Sequence, residues 1–399
     1  MGVGGLILLA FSVAWCQAFS PTQWLPSTKR MPSRLGVMGE DYVNQMSDEE
    51  KLELFQVMLR DLQVEGVPLL DCDADQVHTL QTALWTTMAE LCEQDEAQKV
   101  CLVLSQIPMD ALKMFVDDFF ILKTQRPPMD HLPDLERVSA SLVGKGLGPA
   151  IVLEVAPTST PGSSAPSAVN EYACSAAMKA FVDRVMIGND AEASFGMGSE
   201  GMGSGEIQYR FCNSACAPSV VAYFWNCVCE LLTTPDEALP NMVLQLPALS
   251  DDHERFVAIT QLISRSLCLF QGDAVLSLVH LHPKYSRDDV YPVANPAFGH
   301  LPPLSWIEPM LRASGKDETL TSEELQLSNY QHRAPSAAVN ILRNSLLGDP
   351  QIVDLNLDDG RTMQASGLDT YTTNALKAAA IGPERLQEAL EAEIAIMNT

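Results

Sequence analysis

Basic side chains are scarce in this chain: 25 Lys and Arg stand against 51 Asp and Glu, for a formal net charge of −26. The first 39 residues lack acid altogether, with Glu40 the first carboxylate and only Lys29, Arg30 and Arg34 charged before it. The body that follows therefore holds 22 basic against 51 acidic side chains, a net of −29. Such a body repels phosphate backbones, so nucleic acid is not an expected partner. No Asn-x-Ser/Thr acceptor occurs, nor any Cys pair at the two-residue spacing of strong zinc motifs. HExxH, a nucleophile elbow and a recoverable Ser/His/Asp arrangement are also missing, although triad members need not be close in sequence.

The apolar, uncharged opening over residues 1–18 is too short to span a bilayer comfortably and reads as a signal-peptide core ending at Ala18. Residues 19–39, basic and rich in Ser, Thr and Pro, have transit-peptide composition, and no membrane segment is expected in the mature form. Ten cysteines are present, nine once Cys16 is removed, and an odd count suits a disulfide framework badly. With the missing glycosylation acceptor, this favours a reducing compartment over an extracellular one. The junction CQA-FSP at Cys16–Pro21, with Phe19 after the small residue, resembles the bipartite plastid presequence of algae with red-type secondary plastids. That resemblance implies the plastid stroma; the alternative is secretion.

At 47% hydrophobic, the body can bury a sizeable core. Residues 41–155 read as a mostly helical domain. Ser47 and Glu50 make a capping box, and Leu52, Phe55, Leu59 and Leu62 follow at helical spacing. Val77, Leu80, Leu84, Met88 and Leu91 form a second stripe, and Pro108 opens a third helix through Leu112, Phe115 and Phe119. AIVLEV at 150–155 is an expected strand. The Pro/Ser/Thr run over 156–170 is a linker. Residues 171–315 alternate helix and strand, with strands at 206–213, 242–247 and 274–281, as in an α/β sandwich with a small mixed sheet. A helical extension over 316–399 follows, with helices near 334–347 and 370–380 and a last one opening at Pro383. The expected class is α+β.

The strand at 274–281 delivers His280 and, just beyond it, His282 to one face. Imidazole is the commonest transition-metal ligand, and Asp288, Asp289 or His300 in the following loop would supply a third donor. The plainer reading has His282 capping the strand against a backbone carbonyl, with His280 half exposed. Pro283 forces a sharp turn, after which Tyr285 and Arg312 bring a phenol and a guanidinium towards the imidazoles. Together His280, His282, Tyr285 and Arg312 suit a small anionic ligand, since guanidinium offers a fork of donors to carboxylate or phosphate.

Other constellations dissolve. Cys227 and Cys229 lie about 200° apart around a helix, so Cys212, Cys216, Cys227 and Cys229 read as buried free thiols. The Gly-x-Gly-x-x-Gly match within 196–205 follows a helix and opens a strand, the reverse of a dinucleotide fingerprint. GKGLGP at 144–149 lacks the Ser/Thr that a phosphate loop needs after Lys145. Asp354, Asn356 and Asp358 imitate a calcium loop, but Asp359 stands at its glycine position and Ala365 at its glutamate. No cofactor follows from any of these patterns.

Leu281–Tyr285, LHPKY, and the helix LSWIEPMLRASG at Leu304–Gly315 resemble the central F-H-P-x-Y and late L-L-R-E-A-S elements of a bacterial and plastid domain family of unknown function, over about residues 181–347. The family's Cys-Pro after V-I-G is missing, because VMIG at 185–188 continues into NDAEASF. The resemblance implies an α+β domain and plastid residence, and no reaction. Two functions remain: a non-catalytic binding or assembly module with a small anionic ligand or a protein partner, or an enzyme on a small anionic substrate with His282 as acid/base or metal ligand.

Overall fold

A computed structural model describes residues 45–94, 96–124, 131–145, 147–157, 169–187, 207–269, 271–287, 301–346, 353–357, 360–365 and 368–399. The signal and transit segments, linker residues 158–168, the glycine run at 196–205 and the 288–300 loop lie outside the described residues. The class is α+β, as expected.

Helix α1 (Asp48–Val64) opens on the capping box read from the sequence. The Ser47 hydroxyl accepts the Glu50 N–H at 3.3 Å, and the Glu50 carboxylate accepts the Ser47 N–H at 2.8 Å. Both donors would otherwise be unsatisfied at the helix end. The stretch read as helical holds α2 (Val77–Cys92) and α3 (Met109–Thr124), but it also holds a four-stranded sheet. Its strands are β1 (Leu69–Asp71), β2 (Gln98–Val103), β3 (Val138–Leu142) and β4 (Ala150–Val155), in the order β1-β2-β4-β3. Pair β1–β2 is parallel and the other two pairs are antiparallel.

After the linker come α4 (Glu171–Val182), which ends in a π-helical turn over Asp183–Ile187, then β5 (Gln208–Phe211), α5 (Ala217–Thr233), β6 (Asn241–Gln245), α6 (His253–Leu269) and β7 (Leu276–Leu281). The helix expected near 334–347 is instead a strand, β8 (Ala338–Arg343), lying between β6 and β7. A central strand is buried on both faces and therefore apolar at successive positions, a run that periodicity cannot separate from a buried helix. The mixed sheet is thus not complete by residue 315; one of its two central strands comes from the stretch read as a helical extension.

The two sheets are copies of one another. Order β5-β6-β8-β7 repeats β1-β2-β4-β3, again with a parallel first pair and two antiparallel pairs. The correspondence runs to single hydrogen bonds. Cys72 N–H donates to Val103 O at 2.9 Å and Cys212 N–H to Gln245 O at 3.0 Å, each Cys directly following its first strand. Leu104 N–H donates to Pro149 O and Leu246 N–H to Ala337 O, both at 2.7 Å. In register, Val103 faces Ala150 and Gln245 faces Ala338. The chain therefore contains two α-β-α-β-α-β-β units joined by the linker.

Equivalent helices α2 and α5 make the broadest contact between any two elements among the described residues. They run antiparallel, with Thr82 of α2 against Cys229 of α5 at 3.2 Å. A helix packed against its own equivalent relates the units by an approximate two-fold axis, as in an isologous dimer. One apolar cluster fills this seam, from Leu84, Trp85 and Phe115 of the first unit to Phe224, Trp225 and Phe256 of the second. Helix α1 covers the outer face of the first sheet through Phe55 against Cys101 and Val152.

Elaborations belong to the second unit. Residues 282–337 separate β7 from β8, carrying α7 (Leu304–Ala313) and α8 (Ser322–Leu327), whereas residues 143–149 suffice between β3 and β4. After β8 come the hairpin β9 (Val353–Asn356) and β10 (Thr362–Ala365), then α9 (Leu368–Ile381) and α10 (Pro383–Met397). Leu386 and Leu390 of α10 pack with Met178 and Phe181 of α4 on the outer face of the second sheet.

Because the seam is continuous across the linker, protease cleavage within 156–168 is expected to leave a nicked particle whose two fragments stay together. Size-exclusion chromatography after limited proteolysis checks this: co-elution is expected, and separation into two folded halves would contradict the shared core.

Candidate functional site

Strand β7 places Leu276, Leu278 and His280 on the face towards α6, and His282 continues that row. The shared face expected from the i, i+2 spacing is observed: the Phe256 ring of α6 lies 6.4 Å from the His280 ring and 4.9 Å from that of His282. This face is core. His280 is 1% exposed and His282 0%, so the expectation of a half-exposed His280 fails. In the duplicated register the equivalent of His280 is Leu142, since each sits opposite the second residue of its neighbouring central strand, Val339 and Ile151.

His282 is held at both ring nitrogens by backbone. Its Nδ1 accepts the Lys284 N–H at 3.0 Å, which makes Nε2 the donor to Leu249 O at 3.0 Å. Its main chain closes the turn: the His282 N–H donates to His332 O, and its carbonyl accepts the Tyr285 N–H, both at 3.0 Å. Burial pushes its pKa down to about 3, against a partial rise from the Leu249 bond, with the nearby His253 and Lys284 lowering it further. Neutral, with no lone pair left for a metal or a substrate proton, His282 is a strand-end fastener. Asp288, Asp289 and His300, the expected third ligands, lie outside the described residues. Among the described residues no three His, Cys, Asp or Glu side chains gather where they could hold a metal ion.

Tyr285 is 1% exposed, and its hydroxyl accepts the Leu301 N–H at 3.1 Å. Burial pushes that phenol up to about 12. His332, absent from the sequence reading, lies against the Tyr285 ring, with centroids 4.8 Å apart and planes tilted by 54°. Arg312 differs from the other three in exposure. It is exposed on α7, whereas the histidines and tyrosine are enclosed. Two guanidinium groups lie near Tyr285: Arg333, whose Nε donates to the Tyr285 carbonyl at 3.1 Å, and Arg287, buried and donating to Ser328 Oγ at 2.8 Å. The expected anion pocket thus has one exposed and three enclosed members.

Comparison with family models, with curated proteins and with solved structures finds no match to this chain. Function must then be argued from what this molecule builds.

Among the described residues a groove of about 530 Å³ lies within the elaboration of the second unit. Leu304, Ser305 and Glu308 of α7 form one wall, Ser322, Leu325 and Gln326 of α8 the other, and Leu357 and Arg361 of the hairpin close it. Apolar Leu304, Leu325 and Leu357 are flanked there by a carboxylate and a guanidinium, a texture suited to a peptide or another mixed surface. Nothing in the sequence announces it, because its residues are spread between Leu304 and Arg361 over three elements.

The four cysteines read as buried thiols divide in the structure. Cys212 and Cys227 are buried, while Cys216 and Cys229 are partly exposed. No helix among the described residues is long and apolar enough to cross a membrane.

Proposed function

We propose that the chain is a non-catalytic binding or assembly module of the plastid stroma, working through the elaboration that its second unit carries. The observation that supports this reading is the engagement of both His282 nitrogens by backbone, which removes the acid/base or ligand on which an enzyme would rest. Its core position, equivalent to an apolar face in the first unit, argues the same way. Two copies of one scaffold packed about a seam make a rigid platform, and function is expected where the copies differ rather than where they agree. The stretch 181–347 that resembles the bacterial and plastid family falls on that second, elaborated copy. The acid-free basic leader supports the location.

Two measurements test it. A fluorescent protein carrying residues 1–45 is expected in the plastid, and its appearance outside would remove the stromal assignment. Elemental analysis of the purified chain is expected to find transition metal well below stoichiometry. A stoichiometric metal that disappears in His282→Gln would replace the module with the enzyme reading.

A further inference from the structure

The α2–α5 seam is closed differently at its two ends. Cys216 is the N-cap residue of α5 and Cys92 the last residue of α2, and the antiparallel packing of these helices brings the two ends together, with each thiol acting on the ionisation of the other. By the duplicated register, the equivalent of Cys216 is Gln76 at the start of α2. The repeat therefore puts Gln76 and Leu232 at the far end of the seam in the places that Cys216 and Cys92 take at the near end, so the repeated packing does not demand a cysteine pair. Both cysteines are partly exposed and open to a small reagent. Of the pair, Cys92 belongs to the first unit and Cys216 to the second.

We infer that Cys92 and Cys216 form a dithiol–disulfide site that reacts with small disulfides such as glutathione disulfide and, when oxidised, ties the two units together at one end of their seam.

Cys216 is the attacking sulfur. Its thiol is drawn below the ordinary range by the bond from Cys92, with help from the N–H and hydroxyl of Ser219 and against burial and Asp134. Thiolate at a helix N-terminus is the reactive form of cysteine. The Asp134 carboxylate is itself occupied, accepting the Ala217 N–H and bonding Arg255 at 2.6 Å. Cys92, by contrast, is held up as the protonated partner, with Arg137 nearby easing its eventual ionisation. The step balances as follows. Cys216 thiolate attacks one sulfur of glutathione disulfide, the S–S bond breaks, and a glutathione thiolate leaves and takes up a proton. Cys92 then loses its proton and attacks the Cys216 sulfur of the mixed disulfide, expelling the second glutathione. Two protein thiols are oxidised by two electrons, and one glutathione disulfide is reduced to two glutathiones.

The full chain, equilibrated in glutathione buffers of stepped oxidised-to-reduced ratio, quenched in acid, alkylated with N-ethylmaleimide and peptide-mapped, decides the matter. Expected is a single transition in which Cys92 and Cys216 lose alkylation together and appear as one cross-linked peptide pair. Cys92→Ser is expected to trap glutathione on Cys216. Cys216→Ser should abolish the cross-linked pair and slow adduct formation at Cys92 by about tenfold or more, because Cys92 lies at a helix C-terminus, where the dipole disfavours thiolate. Circular dichroism of both variants guards against misfolding, and the wild-type map needs neither. The site is overturned if both thiols stay alkylated in the most oxidising buffer. It is equally overturned if Cys216 pairs with Cys212, buried close beside it, instead of with Cys92.

Discussion

Glu393→Ala is expected to lower the unfolding free energy by about 3–5 kcal/mol, the cost of stranding a buried charge by removing its partner. Arg184, in the π-helical turn that ends α4, donates through Nε to Glu393 Oε1 at 2.6 Å and through Nη2 to Oε2 at 3.0 Å. Only 8% of Arg184 and 5% of Glu393 is exposed. Burial holds the Glu393 carboxyl above its ordinary range even against the opposing guanidinium. Desolvation thus outweighs attraction, which gives the prediction a second arm. The double replacement Arg184→Met with Glu393→Leu is expected to recover most of the loss, because it leaves no charge unpaired. Urea unfolding at unchanged slope measures both. A single-mutant loss below about 1 kcal/mol would show that water reaches the pair and that α10 is not locked to α4 by it.

Acid is expected to destabilise the wild-type chain more steeply than His282→Gln. Folding holds His282 neutral, with a pKa of about 3 against an ordinary 6.5. The unfolded chain therefore binds more protons at this residue between those values. The stability that neutral His282 contributes is complete above about pH 6.5 and is lost as pH falls towards 3, by about 1.4 kcal/mol per pH unit across the window. At pH 5 this amounts to about 2 kcal/mol. Glutamine can keep both bonds, its amide N–H to Leu249 O and its carbonyl to the Lys284 N–H, without titrating. Other groups have the opposite sign: Asp118, pushed up to about 6 by burial against the pull of Arg265, takes its proton more readily when folded. The difference between wild type and His282→Gln, followed by urea midpoints from pH 7 to pH 4.5, isolates the histidine. Parallel profiles would mean that His282 is protonated in the folded chain and free for other chemistry.

What the sequence made legible follows how each element is buried. Helices with one apolar stripe and a cap, such as α1 behind Ser47 and α10 behind Pro383, could be read directly. Strands β4 and β7 could be read because they are long apolar runs. The short β1 and the polar edge strand β3 were missed, since three residues or a Val-Ser-Ala-Ser pattern carry too little signal. Strand β8 was taken for a helix because Ala-Val-Asn-Ile is buried on both faces. The duplication is hard to see in the sequence because few equivalent positions keep their residue: Cys72 and Cys212, Leu104 and Leu246, and Ala150 and Ala338 agree, whereas Leu142 and His280 differ in both identity and burial. For the site, periodicity gave the correct shared face for the two histidines, but it cannot say whether a face meets water or a helix. Phe256 supplies that answer from a different element.

The unequal connections within the two units also set an order of assembly. Joining β3 to β4 closes a loop over residues 143–149, whereas joining β7 to β8 must bring together ends separated by residues 282–337. With loop closure scaling as the logarithm of length, this eightfold difference costs about 2 kcal/mol more chain entropy for the second sheet. The first unit, made earlier on the ribosome and closing more cheaply, can finish its sheet before the strand that completes the second has left the exit tunnel. Its α2 face then stands ready as a template on which α5 docks, so that the older half of the chain acts as a resident chaperone for the younger.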